Sequence, residues 1–372
     1  ATATSQTRCV SAIGGMIMED EKDSNKYHLA CVGDEQSPTP YNVKKWLESQ
    51  PLQDISITAD YGIEIETAIE RLEEGEFDLI AVSASTWSQF QNTSDVNVAT
   101  ALPRRDGNHI LVASDRIHKL EHKSVILCQN KLQRRQLRRY RPDFRILKPS
   151  AFADLIGREI PADWGLELQE WMENLRSTKI ITGYVTERHL FTLGNIDARR
   201  HILMTDSKEG ANRFIPSPFQ GLTLLISRHG FPPSITSQIG DEESMTAWMC
   251  EEIIKNDLDS SLHDRVGILV RFRQIPSLLN QADAEKDLLR STSLLDTEGD
   301  VVSEKSMVEM LIEVLNRTGE RTLLLERLSK KEDATINARI ITSDWKSMYQ
   351  TVTDENEEDP RLGPARPPFF VE

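Results

Sequence analysis

Leu72-Glu73-Glu74-Gly75-Glu76-Phe77-Asp78-Leu79-Ile80-Ala81-Val82 passes from a helix end through a glycine stop into a continuous apolar strand. That transition decides the fold class. Immediately upstream, Ile65 to Leu72 places Ala68, Ile69 and Leu72 on one side of a helix. Ile55-Ser56-Ile57-Thr58 alternates as a strand does. Ser37-Pro38 opens an earlier helix whose apolar face is Val43, Trp46 and Leu47, ending before Pro51. His28-Leu29-Ala30-Cys31-Val32 is a short buried-strand pattern closed by Gly33. Strand, helix, strand, helix, strand predicts an α/β domain with a largely parallel sheet.

The same order recurs downstream. Ser124–Cys128 reads as a strand, followed by a strongly basic helix, a strand at Phe144–Leu147, a helix at Leu166–Leu175 and a strand at Lys179–Thr182. Leu222–Ser227 is a further apolar strand. In the last third the pattern predicts a helix at Met245–Ile254, a strand at Val266–Phe272 and a helix at Ser306–Leu315. A strand pair is expected at Thr322–Leu325 and Ile336–Ile341. Residues 1–25 read as a flexible leader and 351–372 as a disordered acidic, proline-rich tail. The expected division is 26–118 with 198–228 as domain 1, 119–197 as domain 2 and 236–350 as domain 3.

Composition excludes several classes. The 372 residues hold 44 Lys+Arg against 59 Asp+Glu, a net charge of −15, which disfavours nucleic acid as a partner. No apolar run approaches the ~18 residues needed to cross a bilayer, and the first residues lack a signal pattern. The expectation is therefore a cytoplasmic monomer with no membrane partner. Cys9, Cys31, Cys128 and Cys250 lie far apart, so neither a zinc ribbon nor a disulfide framework is indicated. His118 and His122 have i, i+4 spacing without a further ligand, and no metal site is assigned. Ser227-Arg228-His229 lacks a nucleophile elbow before it.

The charge is unevenly spread. Residues 131–148 contain eight Lys+Arg and a single acid. Lys131, Arg134, Arg135, Arg138 and Arg139 follow helical spacing and share one face, just after a strand. Guanidiniums grouped at a helix start suit a ligand with several carboxylates or phosphates. A solvated face paired with acidic surface explains the same pattern equally well.

Four segments, in order, resemble the hydroxymethylbilane synthase (porphobilinogen deaminase) family. Leu72–Val82 is similar to its "LLEGEIDIAV", and Ala101-Leu102-Pro103-Arg104-Arg105-Asp106 to its "LPREDPRD". Gln136–Phe144 resembles "QLRRLRPDL", and Pro216-Ser217-Pro218-Phe219-Gln220-Gly221 resembles "PAPGQG". The resemblance implies two periplasmic-binding-protein-like α/β domains around a cleft, plus a smaller C-terminal α/β domain. It also implies polymerisation of porphobilinogen to hydroxymethylbilane on a cysteine-anchored dipyrromethane cofactor.

The matching positions diverge where that chemistry resides. Ser85 and Thr86 stand where the family keeps Lys-Asp, and the next aspartate is Asp95. Glu35 and Glu66 fall at cationic positions, and Ser261-Leu262-His263 falls near the cofactor-cysteine loop. The catalytic residues are thus unassigned. Arg134, Arg135, Arg138 and Arg104, with Ser83, are the expected ligand-binding residues, for an anionic, porphobilinogen-like small molecule. The alternative is a non-catalytic paralogue that binds an anionic small molecule or a partner protein.

Overall fold

The computed structural model describes residues 26–49, 55–90, 95–162, 165–205, 213–295, 298–301 and 306–353. The expected leader, and the tail from 354 onward, lie outside the described residues; residues 351–353 end a helix.

The first lobe runs β1 (Lys26–Val32), α1 (Pro38–Ser49), β2 (Ser56–Ile63), α2 (Ile65–Glu73), β3 (Leu79–Ser83), α3 (Ala84–Gln89) and β4 (Val96–Ala101). The second runs β5 (Ile110–Ala113), β6 (Val125–Cys128), α4 (Lys131–Tyr140), β7 (Arg145–Leu147), α5 (Pro149–Ile156), α6 (Leu166–Ser177), β8 (Gly183–Thr186), α7 (Arg188–Leu193) and β9 (Arg200–Ile202). The chain then returns to the first lobe through β10 (Thr223–Arg228) and α8 (Pro233–Ile239). The remainder is α9 (Glu242–Asp257), β11 (Val266–Gln274), α10 (Ile275–Glu285), α11 (Leu288–Ser293), β12 (Ser306–Leu315), β13 (Thr322–Ser329) and α12 (Ala334–Thr353).

The two lobes share one topology. Their strand orders are β2-β1-β3-β10-β4 and β7-β6-β8-β5-β9. In each, three strands are parallel and the fourth in the order, β10 or β5, is antiparallel to both neighbours. That antiparallel strand is the one entering from the other lobe. The chain is therefore an α/β protein of two binding-protein-like lobes around a cleft, with a smaller C-terminal domain. β5 pairs with β8 and β9, so the second lobe begins near residue 110, earlier than the expected boundary at 119, and it includes β9 beyond 197.

Sequence period explains the layering. Along β3, Leu79 and Ala81 pack with Val43 and Trp46 of α1, whereas Ile80 and Val82 pack with Ala68, Ile69 and Leu72 of α2. A strand covered on both faces has no polar side, hence its continuous apolar run. Gly75, at φ 85°, turns the chain between α2 and β3 in a conformation a side chain resists.

Three expectations are corrected. Ser306–Leu315 is the central strand of the antiparallel sheet β11-β12-β13, not a helix. Val308, Met310, Ile312 and Val314 face the core under α9 and α12, while Glu309, Leu311 and Glu313 face the opposite side and are also buried. Glu309 and Glu313 are four residues apart, which mimics a helix's polar stripe. Ile336–Ile341 lies within α12, whose buried Ala334, Ala338, Ile341, Thr342 and Trp345 follow helical spacing. The strand expected at Lys179–Thr182 is Gly183–Thr186 instead, because Lys179 takes a left-handed turn at φ 59°.

The third domain is riveted to the lobes by buried carboxylates. Glu251 of α9 is fully buried; its Oε1 accepts from Arg104 Nη1 at 2.7 Å and Val270 N at 3.0 Å, and its Oε2 accepts from Phe219 N at 2.6 Å. Glu313 of β12, equally buried, accepts from Gln136 Nε2 at 2.9 Å and pairs with Arg139 of α4.

Candidate functional site

Parallel strands deliver their C-terminal ends, and the helix starts that follow them, to one side of each sheet. In this chain β1, β3, β6 and β8 bring the starts of α1, α3, α4 and α7 to the space between the lobes. A cavity of about 230 Å³ lies there, and Thr39, Ser83, Arg105, Asn130 and Glu187 are among its lining. A neighbouring cavity of about 230 Å³ extends into the second lobe, past His109, Asn130 and Glu187, towards Leu168 and Met172.

Local sequence fixes several of these side chains. Ser83 caps α3 by accepting from Thr86 N at 3.0 Å. Asn130 caps α4 by accepting from Gln133 N at 3.0 Å, and donates to Ser217 Oγ at 3.0 Å. Both caps satisfy helix-end donors, so the polar atoms are held in place rather than wandering in solvent.

A charged cluster closes the second-lobe wall. His189 Nδ1 lies 3.2 Å from Glu187 Oε2, and His109 Nε2 lies 3.9 Å from Glu187 Oε1. His189 Nε2 is 3.1 Å from the backbone oxygen of Gln36 in the first lobe. A carbonyl only accepts, so Nε2 donates there, and Nδ1 faces a carboxylate. Gln36 also accepts from Leu166 N through Oε1 at 3.0 Å, so one first-lobe residue clasps two points of the second. Burial alone would raise the pKa of Glu187, but the hydrogen bond from His189 and the charges of His109 and His189 lower it. Its side chain is 41% exposed and opens on the cleft as a carboxylate. The pKa of His109 is also lowered, but by its burial, which outweighs the opposing charge of Glu187. The remaining local charges, Asp106 and Arg188, pair at 3.1 Å.

The expected ligand-binding residues separate. Ser83 lies in the cleft. Arg104 does not: its guanidinium points into the domain interface, donating to Glu251, to Val270 O at 3.1 Å and, through Nε, to Gln220 O at 2.9 Å. Arg135 is buried and donates to Leu315 O of β12. Arg138 donates to Arg317 O at 3.2 Å and Ile146 O at 3.1 Å. Arg134 donates to Cys128 O at 2.9 Å and Gln129 O at 2.6 Å. The basic helix thus serves mainly to dock the second lobe on the third domain, and its cations do not converge on the cleft.

The arginine that does line the cleft is Arg105, next in sequence to Arg104. It donates Nη2 to Ser49 Oγ at 2.9 Å, while its Nε is buried with no partner. Sequence reasoning placed both in one motif but had no means of telling which side chain turns outward. Glu187, His189 and His109 carried no recognisable spacing, being brought together by β8, α7 and the crossing before β5.

Asp95 is exposed at the start of β4, 3.2 Å from His229, at the end of the strand opposite the crossing that carries Arg105. Leu262 is buried and His263 Nε2 faces Lys255 O at 3.1 Å. Cys31, Cys128 and Cys250 are buried, and burial pushes each thiol up to about 12. A neutral, enclosed thiol is a poor nucleophile. Native protein at pH 8 is expected to leave these three unlabelled by a thiol reagent, and to expose all three on denaturation; peptide mapping after labelling distinguishes the two states. Among the described residues no group of three or more His, Cys, Asp or Glu is placed to hold a metal ion, and no helix is long and apolar enough to cross a membrane.

No family model matches the chain, and no curated protein matches it in sequence. Among solved structures it is similar to an ABC transporter structure from Parabacteroides distasonis, at 12% identity, covering 87% of this chain and 94% of that one with a TM-score of 0.35. It is also similar to the zinc-bound ligand-binding component of an ABC-type import system from Staphylococcus aureus (13% identity, 75% and 87% coverage, TM-score 0.27). A third is the periplasmic aliphatic sulphonate binding protein from Escherichia coli (10% identity, 76% and 80% coverage, TM-score 0.28). With TM-scores this low, the strand order itself is the ground for the fold.

Proposed function

We propose that this protein holds a small acidic molecule in the cleft between its first two lobes and does not polymerise porphobilinogen. The observation that carries this is Arg105, a cleft-lining guanidinium whose buried Nε has no partner and which, among the described residues, pairs with no carboxylate. Arginine keeps its charge in such a place, so a ligand carboxylate, sulfonate or phosphate supplies the acceptor it lacks. The starts of α1 and α4 open on the same space and favour an anion there. Glu187 on the second-lobe wall repels a second acid, so the far end of the ligand carries a hydroxyl or an amine instead.

The motifs shared with hydroxymethylbilane synthases are read here as shared ancestry without shared chemistry. The carboxylate position is occupied by Ser85 and Thr86 in α3, and Cys31 and Cys128 are buried in lobe cores and Cys250 on the inner face of α9. Calorimetric titration with small hydroxy, amino and sulfonic acids, porphobilinogen among them, tests the proposal. At least one acid should bind saturably and lose tenfold or more with Arg105→Ala. The purified chain should carry the mass of its sequence, without a dipyrromethane, and should leave porphobilinogen unconsumed. Formation of hydroxymethylbilane, or binding indifferent to Arg105, would overturn it.

A further inference from the structure

A third cavity, of about 560 Å³ and sharing no lining residue with the cleft, lies between the C-terminal half of α4 and the turn joining β12 to β13. Arg138 and Arg317 both line it, and among the described residues neither has a carboxylate partner. This is unusual company in a chain with an excess of acids. Three neighbouring arginines are matched by acids: Arg139 pairs with Glu313, Arg141 with Asp143, and Arg213 with Glu326. Glu320, an acid on the groove's rim, is engaged by Thr318 Oγ1 at 3.1 Å.

The groove is a built feature. Gly319, at φ 82°, brings the turn so close that a Cβ there would lie 2.6 Å from Arg135 O and 2.8 Å from Arg139 N. Only glycine allows this backbone-to-backbone approach. The turn is closed behind it, with Asn316 N donating to Arg321 O at 3.0 Å and Arg321 N donating to Asn316 Oδ1 at 3.1 Å. Arg138 donates to Arg317 O at 3.2 Å, which holds the two cationic residues side by side. Burial, followed by the charges of Arg134 and Arg317, lowers the pKa of Arg138, as expected where like charges are gathered without a counter-charge.

We propose that this groove binds a phosphate-class oxyanion, received by the forked donors of Arg138 and Arg317, and that the bound ion fastens the second lobe to the third domain. The free Nε–H of Arg138 and the guanidinium of Arg317 offer the paired donors that tetrahedral oxyanions accept. The source is either free inorganic phosphate or a small phosphate monoester.

Calorimetry at constant ionic strength, with sodium chloride as compensating salt, tests this using inorganic phosphate, pyrophosphate and glycerol 3-phosphate. One site per chain is expected, weakened tenfold or more by Arg317→Ala and by Arg138→Gln, and unchanged by Arg105→Ala. Arg317 is exposed, so its replacement leaves the fold intact even if Arg138→Gln does not. Tighter binding of phosphate or of the monoester identifies the source. No saturation at millimolar ion, or binding that survives Arg317→Ala, overturns the proposal; loss on Arg105→Ala instead assigns the ion to the cleft and overturns it as well.

Discussion

Glu251→Ala is expected to destabilise the protein by about 3–5 kcal/mol, the range for removing one partner of a buried ion pair. The carboxylate is fully buried and answers donors from three places: Arg104 in the first crossing, Phe219 in the return crossing and Val270 in β11. Without it the guanidinium of Arg104, only 16% exposed, keeps its charge with no counterpart, and two backbone N–H groups lose their acceptor. Glu251→Gln retains an acceptor but not the charge, and should fall between the two. The midpoint of urea denaturation, followed by tryptophan fluorescence, is the measurement. A midpoint within error of the parent for Glu251→Ala would mean that the interface does not depend on this carboxylate.

Gly221→Ala is the second large effect, and it acts on the cleft as well as on stability. Gly221 has φ 77°, and a Cβ there would stand 2.0 Å from Arg105 O and 3.0 Å from Gly107 N, both backbone atoms that cannot swing aside. The left-handed conformation alone costs a side chain roughly 1–2 kcal/mol. Relieving the clash must also displace the Arg105–Gly221 contact, in which Arg105 N donates to Gly221 O at 3.1 Å. Gly230→Ala provides the comparison, since Gly230 has φ 84° but no atom within 4 Å of the added carbon. It should show the conformational cost only, leaving cleft binding unchanged, while Gly221→Ala loses about 3 kcal/mol or more and weakens the cleft ligand. Equal effects at the two positions would contradict the steric account.

Much of the scaffold was legible because burial writes itself into period. The buried runs at β1, β3, β6 and β10, and the apolar stripes of α1, α2 and α6, stand out without any knowledge of their partners. β12 resists a sequence reading for a physical reason: a strand buried on both faces shows no alternation, and Glu309 and Glu313 sit at helical spacing although they answer Arg271, Arg273, Gln136 and Arg139 from other elements. The site was much less legible. Four arginines from two basic segments share residue type, yet Arg104, Arg135 and Arg139 turn to the third domain while Arg105 turns to the cleft. Side-chain direction at that level follows from which domain packs where. The Glu187–His189–Gln36 contact joins residues about 150 positions apart, and no local pattern announces it.

Because the chain leaves the first lobe unfinished and returns to it later, the lobes differ in when they can be finished. Every strand of the second sheet, from Ile110 to Ile202, is contiguous in the chain, whereas β3 of the first must wait for β10, pairing Ile80 with Ile226. During synthesis from the N-terminus the second lobe is complete as soon as its last strand emerges, but the first stays open along one edge of β3 until the whole second lobe has been made. The domain that comes first in sequence is thus the second to close, and its apolar β3 edge is the part of the newborn chain most in need of shelter.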